Sequence, residues 1–303
     1  MISPPYNLDN ADACARYHAL WEEAPERTVF ASLRYARAVD EAYGLGSSMH
    51  FSGDDAALLL HTKGRGPLRR VIVPPSTQYS AVLLGKPALA HQVHGQATPL
   101  DHLLKHAEQQ AQRADLLVKL NDPRTAQWRG WDVRPLFTYM IDLPSNIDDW
   151  SDGARRTWRS KTSSFRIEED PCHLRTIIDL CVKSYGRHER RMPGKPAALE
   201  SVAKAMGPWA RAFTAIRNDT VEGGVVILHD DRTAHYWIAG SIPGPAMTVL
   251  IGEVLTILHA SGIAKFDFVG ANTPSIAEFK RTFGPVLTQY YHLRRRPQIH
   301  FQR

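Results

Sequence analysis

A chain of 303 residues with 43% hydrophobic and 22% charged side chains has the composition of a globular protein with room for two ordinary cores. It has no apolar run of bilayer-spanning length, and its three cysteines, Cys14, Cys172 and Cys181, are an odd number without metal-ligand spacing, which argues for reduced thiols in a cytoplasmic protein and against a disulfide framework. The net charge of +6 is uneven: residues 1–150 carry 15 basic and 17 acidic side chains, residues 151–303 carry 22 and 14, so a polyanion such as RNA, or a phosphorylated substrate, would meet the second half.

The stretch Met1–Trp21 lacks a basic start followed by an apolar run, so no secretory leader is expected. From Ala11 to Gly44 the spacing predicts two helices broken near Pro25. The second has an apolar stripe of Phe30, Leu33, Tyr35, Ala38 and Ala42, with Gly44 as its C-cap. Ala56–His61 and Arg70–Val73 read as short strands around a turn containing Gly64, Gly66 and Pro67. Pro74–Ser80 reads as an irregular segment. A helix over Leu100–Arg113 and strands over Leu116–Leu120 and Phe137–Leu143 follow, with a break from Pro144 to Trp150. The same helix–strand–turn–strand order recurs after residue 200, which predicts two similar α/β units, 1–146 and 147–303, although no repeat is visible residue by residue.

A helix is expected from Asp149 to about Ile167. It carries Arg155, Arg156, Arg159, Lys161 and Arg166, with Arg155, Arg159 and Arg166 on one face. Guanidinium groups suit phosphate bidentately, so this ridge could follow an RNA or diphosphate backbone. The plainer reading is a solvated helix that packs Trp158 and Phe165 inward. A second basic cluster, Tyr185–Lys195, holds Arg187, Arg190 and Arg191 around His188, a candidate general base. Ala212–Arg217, Val221–His229 and Thr233–Ser241 are three strands joined by turns. A helix over Leu250–Ser261, a strand around Phe266 and a last strand over Thr288–Arg294 complete the chain.

Chemistry is most concentrated in FDFVGANTPSIAEFKRTFG, Phe266–Gly284. A strand carries Asp267 into a turn of Gly270, Asn272 and Pro274, and a short helix follows. Its spacing points Ile276, Phe279 and Phe283 at a core and sends Glu278 and Lys280 to other faces. Asp267, Lys280 and Arg281 would set an acid and two cations around a reacting carbonyl. Asp267 and Glu278 are candidate carboxylates for orienting or deprotonating an attacking amine. There is no G-x-S-x-G, and the cysteines lack a visible His partner, so no covalent intermediate is expected.

That block, together with TVFASLRYARAV, VIVPPSTQYSAVLLG and LFTYMIDLPSNIDDWSDGARRTWRSKTSSFRI in the same order, resembles the signature segments of the FemAB-like branch of the GNAT acyltransferase superfamily. The resemblance implies an α/β (α+β) fold of two tandem GNAT-like units, each a mostly antiparallel twisted sheet flanked by helices. It gives Lys280, the lysine of the family's "FK" element, the role of stabilising an oxyanion or the departing phosphorylated end. Ser184-Tyr-Gly-Arg187 stands where peptidoglycan-type members have an arginine on the acceptor phosphate, with Arg190 close by. Tyr79 would lie near the cleft, and Tyr236 and Phe279 join the candidate substrate contacts. Arg155, Arg156, Arg159, Lys161 and Arg281 would bind tRNA or phosphate.

Acyl-CoA-dependent members hold the donor diphosphate on a loop reading R/Q-x-x-G-x-G/A at a helix N-terminus. Here that loop is Ser241-Ile-Pro-Gly244-Pro-Ala246. It keeps Gly244 and Ala246, puts Ser241 where Arg or Gln is usual, and loses two N–H donors at Pro243 and Pro245. The expected donor is therefore aminoacyl-tRNA, with an amine of a cell-wall precursor, peptide or small natural product as acceptor and no metal or tightly bound cofactor. Acyl-CoA-dependent N-acetyl transfer is the alternative, and a non-catalytic tRNA- or RNA-binding protein on the same fold a further one.

Overall fold

The computed structural model describes residues 5–90, 98–187 and 189–296. The first elements are helices α1 (Ala11–Glu23) and α2 (Leu33–Tyr43), then strands β1 (Gly46–Ser52), β2 (Ala56–Lys63), β3 (Arg70–Ile72) and β4 (Ala81–Leu84). Helices α3 (Lys86–Ala90) and α4 (Pro99–Gln110), strand β5 (Arg113–Val118), helix α5 (Arg124–Trp128) and strand β6 (Asp132–Asp142) follow. Next come α6 (Asp152–Lys161), β7 (Arg166–Glu169), α7 (Leu174–Gly186) and α8 (Pro196–Met206), then β8 (Ala210–Arg217), β9 (Thr220–His229) and β10 (Thr233–Ser241). The chain closes with α9 (Ala246–Ala260), β11 (Lys265–Asp267), α10 (Pro274–Arg281) and β12 (Val286–Arg295).

The chain divides into two units, Met1–Leu136 with Gln289–Arg303, and Phe137–Thr288. The division falls inside β6, where the expected boundary at 146/147 lay in the loop after it, and the end of the chain counts with the first unit. Strand pairing sets this limit: Phe137–Asp142 is hydrogen-bonded to residues 265–272 of its own unit. Turn composition, which suggested Pro144–Trp150, does not register such pairing.

In the first unit the strand order is β1-β2-β3-β5-β12, with β4 also on β2; in the second it is β6-β11-β10-β9-β8-β7. Within each unit one described pair is parallel, β3 with β5 and β10 with β11, and the others are antiparallel. A parallel pair needs a crossover, and a helix lies in each, α4 in one and α9 in the other. The two units thus repeat one device with different residues. Leu58, Leu60 and Val71 of the first sheet bury against Leu100, Leu103 and Leu104 of α4. Helix α9 buries nine of its 15 residues, so it is the core of the second unit and has no solvent stripe to speak of.

The structure adds two features to the sequence reading and corrects one. Strand β1, GSSMHFS, was not legible because it is half polar, yet its last five residues are buried. Its polar groups satisfy neighbours, Ser48 Oγ with His50 Nε2 at 3.0 Å and Ser52 Oγ with His102 Nδ1 at 3.1 Å. The basic helix stops at Lys161, and Arg166 begins β7 opposite Ile216, so Arg166 does not share a helix face with Arg155 and Arg159. Helix α7 packs on β9 and β10 through two glycines that are cross-strand partners, Gly224 and Gly240. A Cβ on Gly240 would stand 2.3 Å from the Cys181 backbone nitrogen, and one on Gly224 would stand 2.5 Å from Ile177 Cγ1.

Because the atoms facing Gly240 are helix backbone, Gly240→Ala forces α7 off the sheet. It should lower stability by about 2–3 kcal/mol, read as a lower urea midpoint; an unchanged midpoint would show that α7 is not seated this way. In the first unit the His50 and His106 rings lie 4.9 Å apart. Burial, with His106 and Arg69 adding, pushes His50 down to about 4, and burial also lowers His106. A histidine whose folded pKa is depressed contributes full stability above its unfolded value and loses it as pH falls towards the folded one. Melting temperature should therefore drop between pH 6.5 and pH 4, by an amount worth about 3 kcal/mol for His50, and His50→Asn should flatten that part of the profile.

Candidate active site

The two parallel pairs part company after a very short overlap. β10 and β11 are in register only over Thr233–His235 and Lys265–Asp267. Beyond that β10 runs on along β9 to Ser241, with an irregularity between Tyr236 and Ile238. The chain leaving β11 stays with β6, Phe268 N–H donating to Tyr139 O at 2.9 Å and Ala271 N–H to Phe137 O at 2.7 Å. The two strands thus diverge as a wedge at their carboxyl ends, the kind of switch point where open sheets take ligands. In the first unit β3 and β5 overlap only at Arg70/Arg113 and Val71/Ala114, but the corresponding gap is filled. Ser80 donates its N–H to Leu117 O at 2.6 Å, and its Oγ accepts from Leu117 N–H at 2.9 Å. Tyr79, expected near a cleft, is a core residue there, 2% exposed, with its ring 5.3 Å from Tyr290 and under the Lys119 ammonium. The corresponding divergence in the second unit is the wedge between β10 and β11.

One side of that wedge is built on buried charge. Asp267 is fully buried; its Oδ1 accepts from Thr138 Oγ1 at 2.6 Å and from Val269 N–H at 2.8 Å, and its Oδ2 lies 3.6 Å from His235 Nδ1. Thr138 Oγ1 also accepts from Gly270 N–H at 3.1 Å. Val269 sits at φ +55°, a left-handed conformation that is rare and strained for a β-branched residue. Lys280, only 4% exposed, clamps the turn: its Nζ donates to the carbonyls of Phe268 at 2.6 Å, Val269 at 2.9 Å and Gly270 at 2.7 Å. An ammonium has three protons, and all three are used. Burial pushes Lys280 down to about 8, with Asp267 opposing.

This corrects two expectations. Lys280 was read as an outward cation for a substrate oxyanion, and here it has no donor left for one. Ile276, read as a core residue, is 39% exposed. Phe283 of the same stripe is buried, so the helix turns the expected face inward; Lys280, one turn after Ile276 on that face, is drawn in by three convergent carbonyls, which hydrophobic spacing cannot register. Glu278, read as a candidate carboxylate, is exposed and held by Arg281 at 2.7 Å, so neither of that pair approaches the turn's buried groups. Phe279 is half-buried with its ring 5.3 Å from Phe283.

Tyr236 stands where β10 leaves β11. Its ring is 5.9 Å from that of Phe268, and the Lys280 ammonium lies 5.4 Å from its centroid. Burial raises the phenol well above its ordinary value, so it keeps its proton. Among the described residues its hydroxyl reaches only the weak acceptor Met247 Sδ, at 3.6 Å. At the far end of β10, α9 begins on Pro245 with no side-chain cap, after Gly244 at φ +146°. Two arginines following α7 reach opposite flanks of the wedge. Arg187 Nη2 donates to Ser241 O at 2.6 Å, and Arg190 Nη1 donates to Thr273 Oγ1 at 3.1 Å. The half-buried phenol of Tyr185 is raised above its ordinary value by burial and by Cys181, with Arg190 opposing. His188 lies outside the described residues.

Arg155, Arg156 and Arg159 line an open concavity of about 580 Å³ with Asp152 and Ser160. Arg155 is paired with Asp152 and Asp148, and Arg159 lies 3.8 Å from Asp148, so the ridge is partly neutralised. Arg156 and Lys161 make no ion pair among the described residues. Trp158 turns inward as the plainer reading had it, donating to Glu253 Oε1 at 3.2 Å over Gly252. Sequence reasoning missed Thr138 and His235. Both are buried members of other strands, and only sheet order brings them to Asp267. Among the described residues no group of three His, Cys, Asp or Glu is placed to hold a metal ion, and no helix is long and apolar enough to cross a membrane.

Residues 150–281 match the sequence model of the Acetyltransferase (GNAT) domain family. Among solved structures the chain is similar to FemX, with a TM-score of 0.71 and 11% identity over 92% of this chain and 95% of that one. A tandem GNAT protein from the clavulanic acid biosynthesis pathway is similar at TM-score 0.60 and 13% identity, over 97% and 98% of the two chains. The C-terminal domain of a protein named as a lysylphosphatidylglycerol synthetase, from Agrobacterium fabrum, is similar at 0.57 and 12%, over 94% and 92%. No curated protein matches the sequence.

Removing the Lys280 cation leaves three carbonyls and the Asp267 carboxylate uncompensated in a buried site. Lys280→Met should cost about 3–5 kcal/mol, read from urea unfolding. Amide exchange at residues 269–271 should quicken first. Wild-type protection in that turn would mean that the clamp does not hold it.

Proposed function

We propose, from the match of residues 150–281 to the GNAT acetyltransferase domain family and the similarity in fold to FemX, that this protein transfers an aminoacyl group from aminoacyl-tRNA to an acceptor amine. The observation that carries the choice of donor is the Ser241–Ala246 loop. Pro243 and Pro245 remove two N–H groups that a diphosphate would need, and the Ser241 carbonyl is engaged by Arg187. The arginine-lined concavity on α6 supports an RNA donor, and one neighbour's name couples an amino acid to a lipid acceptor.

In this reading the ester carbonyl of the donor enters the wedge between β10 and β11. The neutral phenol of Tyr236 donates to the oxygen that becomes negative as the amine attacks. The C–N bond forms, the ester C–O bond breaks, and the amine's proton leaves with the ribose hydroxyl. Arg187 and Arg190 would hold phosphate on the acceptor, a cell-wall precursor, peptide or small natural product. Asp267 and Lys280 act through the turn they fix.

The second reading is acyl-CoA as donor, favoured by the uncapped N-terminus of α9 with Gly244 and Ala246 in place. Binding separates the two. With a mixed aminoacyl-tRNA pool, affinity should fall steeply with salt, and Arg156→Gln with Arg159→Gln should reduce the slope of log K against log salt by about 1.5–2. Tyr236→Phe should leave that binding intact and lower transfer by about a hundredfold or more. Tight acetyl-CoA binding with negligible tRNA affinity would overturn the tRNA reading, and intact tRNA binding without transfer to any amine would leave a non-catalytic RNA-binding protein.

A further inference from the structure

The first unit carries a cationic edge that the acyl-transfer reading does not use. Lys63, the last residue of β2, is the Cα partner of Arg70, the first of β3, and Arg70 is the partner of Arg113, the first of β5. Ladder partners share a face of the sheet and like charges directly opposite one another are destabilising, yet three exposed cations stand in a row here. Among the described residues none of them makes an ion pair, and neither do Arg65 and Arg69 in the adjoining turn. The first unit carries 19 basic against 14 acidic side chains, but cations elsewhere in it, such as Arg294 with Asp115 and Arg295 with Glu108, are paired, whereas those at this edge are not. Lys63, Arg65 and Arg69 also line an open concavity of about 570 Å³ with Thr62 and the backbone of Gly44, Gly46, Gly64 and Gly66.

The turn holds one more unusual side chain. Leu68 is 79% exposed, more than any other large apolar residue among those described. Its exposure is built in. Gly64 takes φ +90°, and a Cβ there would stand 2.5 Å from Leu68 O; Leu68 N–H donates to Arg65 O and Arg69 N–H to Gly66 O, both at 3.1 Å. The folded-back turn holds Leu68 outward, between Arg65 and the Arg69–Arg70 pair. A nucleic-acid backbone would be served by cations alone, and its bases by stacking aromatics. An aliphatic side chain ringed by cations instead matches a bilayer interface, where the apolar tip enters the headgroup–acyl boundary and the cations meet lipid phosphates.

We propose that this edge of the first unit docks the protein reversibly on an anionic lipid surface, with Leu68 inserted and Lys63, Arg65, Arg69, Arg70 and Arg113 on the headgroup phosphates. The docking is independent of which acyl donor the second unit uses.

The test is sedimentation of the full chain with vesicles of mixed phosphatidylcholine and phosphatidylglycerol, against pure phosphatidylcholine, at low and high salt. Binding should require phosphatidylglycerol and weaken with salt. Each cation at an anionic leaflet is worth about a factor of five, so Lys63→Gln with Arg65→Gln and Arg70→Gln should lower the partition coefficient roughly a hundredfold. Leu68→Ser should lower it about tenfold or more. These positions are exposed, and unchanged melting curves would confirm that the variants fold. Arg156→Gln with Arg159→Gln should leave vesicle binding untouched, so loss of tRNA binding and loss of lipid binding are read separately. Absence of phosphatidylglycerol-dependent binding, or binding indifferent to the triple variant, would overturn the proposal. So would tRNA binding lost in that variant without any vesicle binding, which would reassign the edge to RNA.

Discussion

The second unit depends on a lysine whose charge never reaches solvent. Lys280 joins α10 to the turn after β11 by three hydrogen bonds to consecutive carbonyls, and one of those carbonyls belongs to Val269 in a left-handed conformation. Such a backbone persists only where its surroundings over-determine it. The surroundings here are Lys280 from one side and Asp267 with Thr138 from the other. Because an unpaired buried charge is costly, the two ions hold each other in place, and with them the direction in which the chain leaves β11. That direction opens the wedge.

The wedge in turn explains why the two units, alike in plan, differ in what they can do. Both place one parallel strand pair beside a crossover helix, and in both the pair separates after two or three residues. In the first unit Ser80 takes the vacated ladder position on β5 and Tyr79 fills the space beneath. In the second the position beside Tyr236 is left to a half-buried phenol, and two arginines reach its flanks. The first unit keeps the fold without the opening, and its conspicuous chemistry lies at the other end of its strands, where cations line up across β2, β3 and β5.

Charge is distributed by the same logic of position. The excess of basic residues after residue 150 suggests a broad basic surface, but much of it is consumed locally, with Arg155 on Asp152, Arg166 on Glu168, Arg211 on Glu169, Arg217 on Glu222 and Arg281 on Glu278. The first unit, with 19 Lys and Arg against 18 in the second, gathers unpaired ones at one edge. Net charge by region therefore says little about where a polyanion would sit. Pairing decides it.

Sequence alone determined much of the architecture: the strands Ala212–Arg217, Val221–His229 and Thr233–Ser241, the helix expected over Leu250–Ser261, the recurrence of one plan, and the relation to the GNAT superfamily. These rest on local periodicity, turn chemistry and motif order, which a linear reading preserves. It also singled out the stretch Phe266–Gly284 with Asp267, Lys280 and Tyr236, which the structure brings together around one turn. Roles were a different matter. That Lys280 is buried and Ile276 exposed, that Glu278 is spent on Arg281, that Tyr79 is core and that Thr138 and His235 attend Asp267 were decided only by tertiary structure. The physical reason is that a side chain's role depends on which donors and acceptors face it, and folding brings those together whether they lie a turn away, as Lys280 and the Phe268–Gly270 carbonyls do, or more than a hundred residues apart, as Thr138 and Asp267 are.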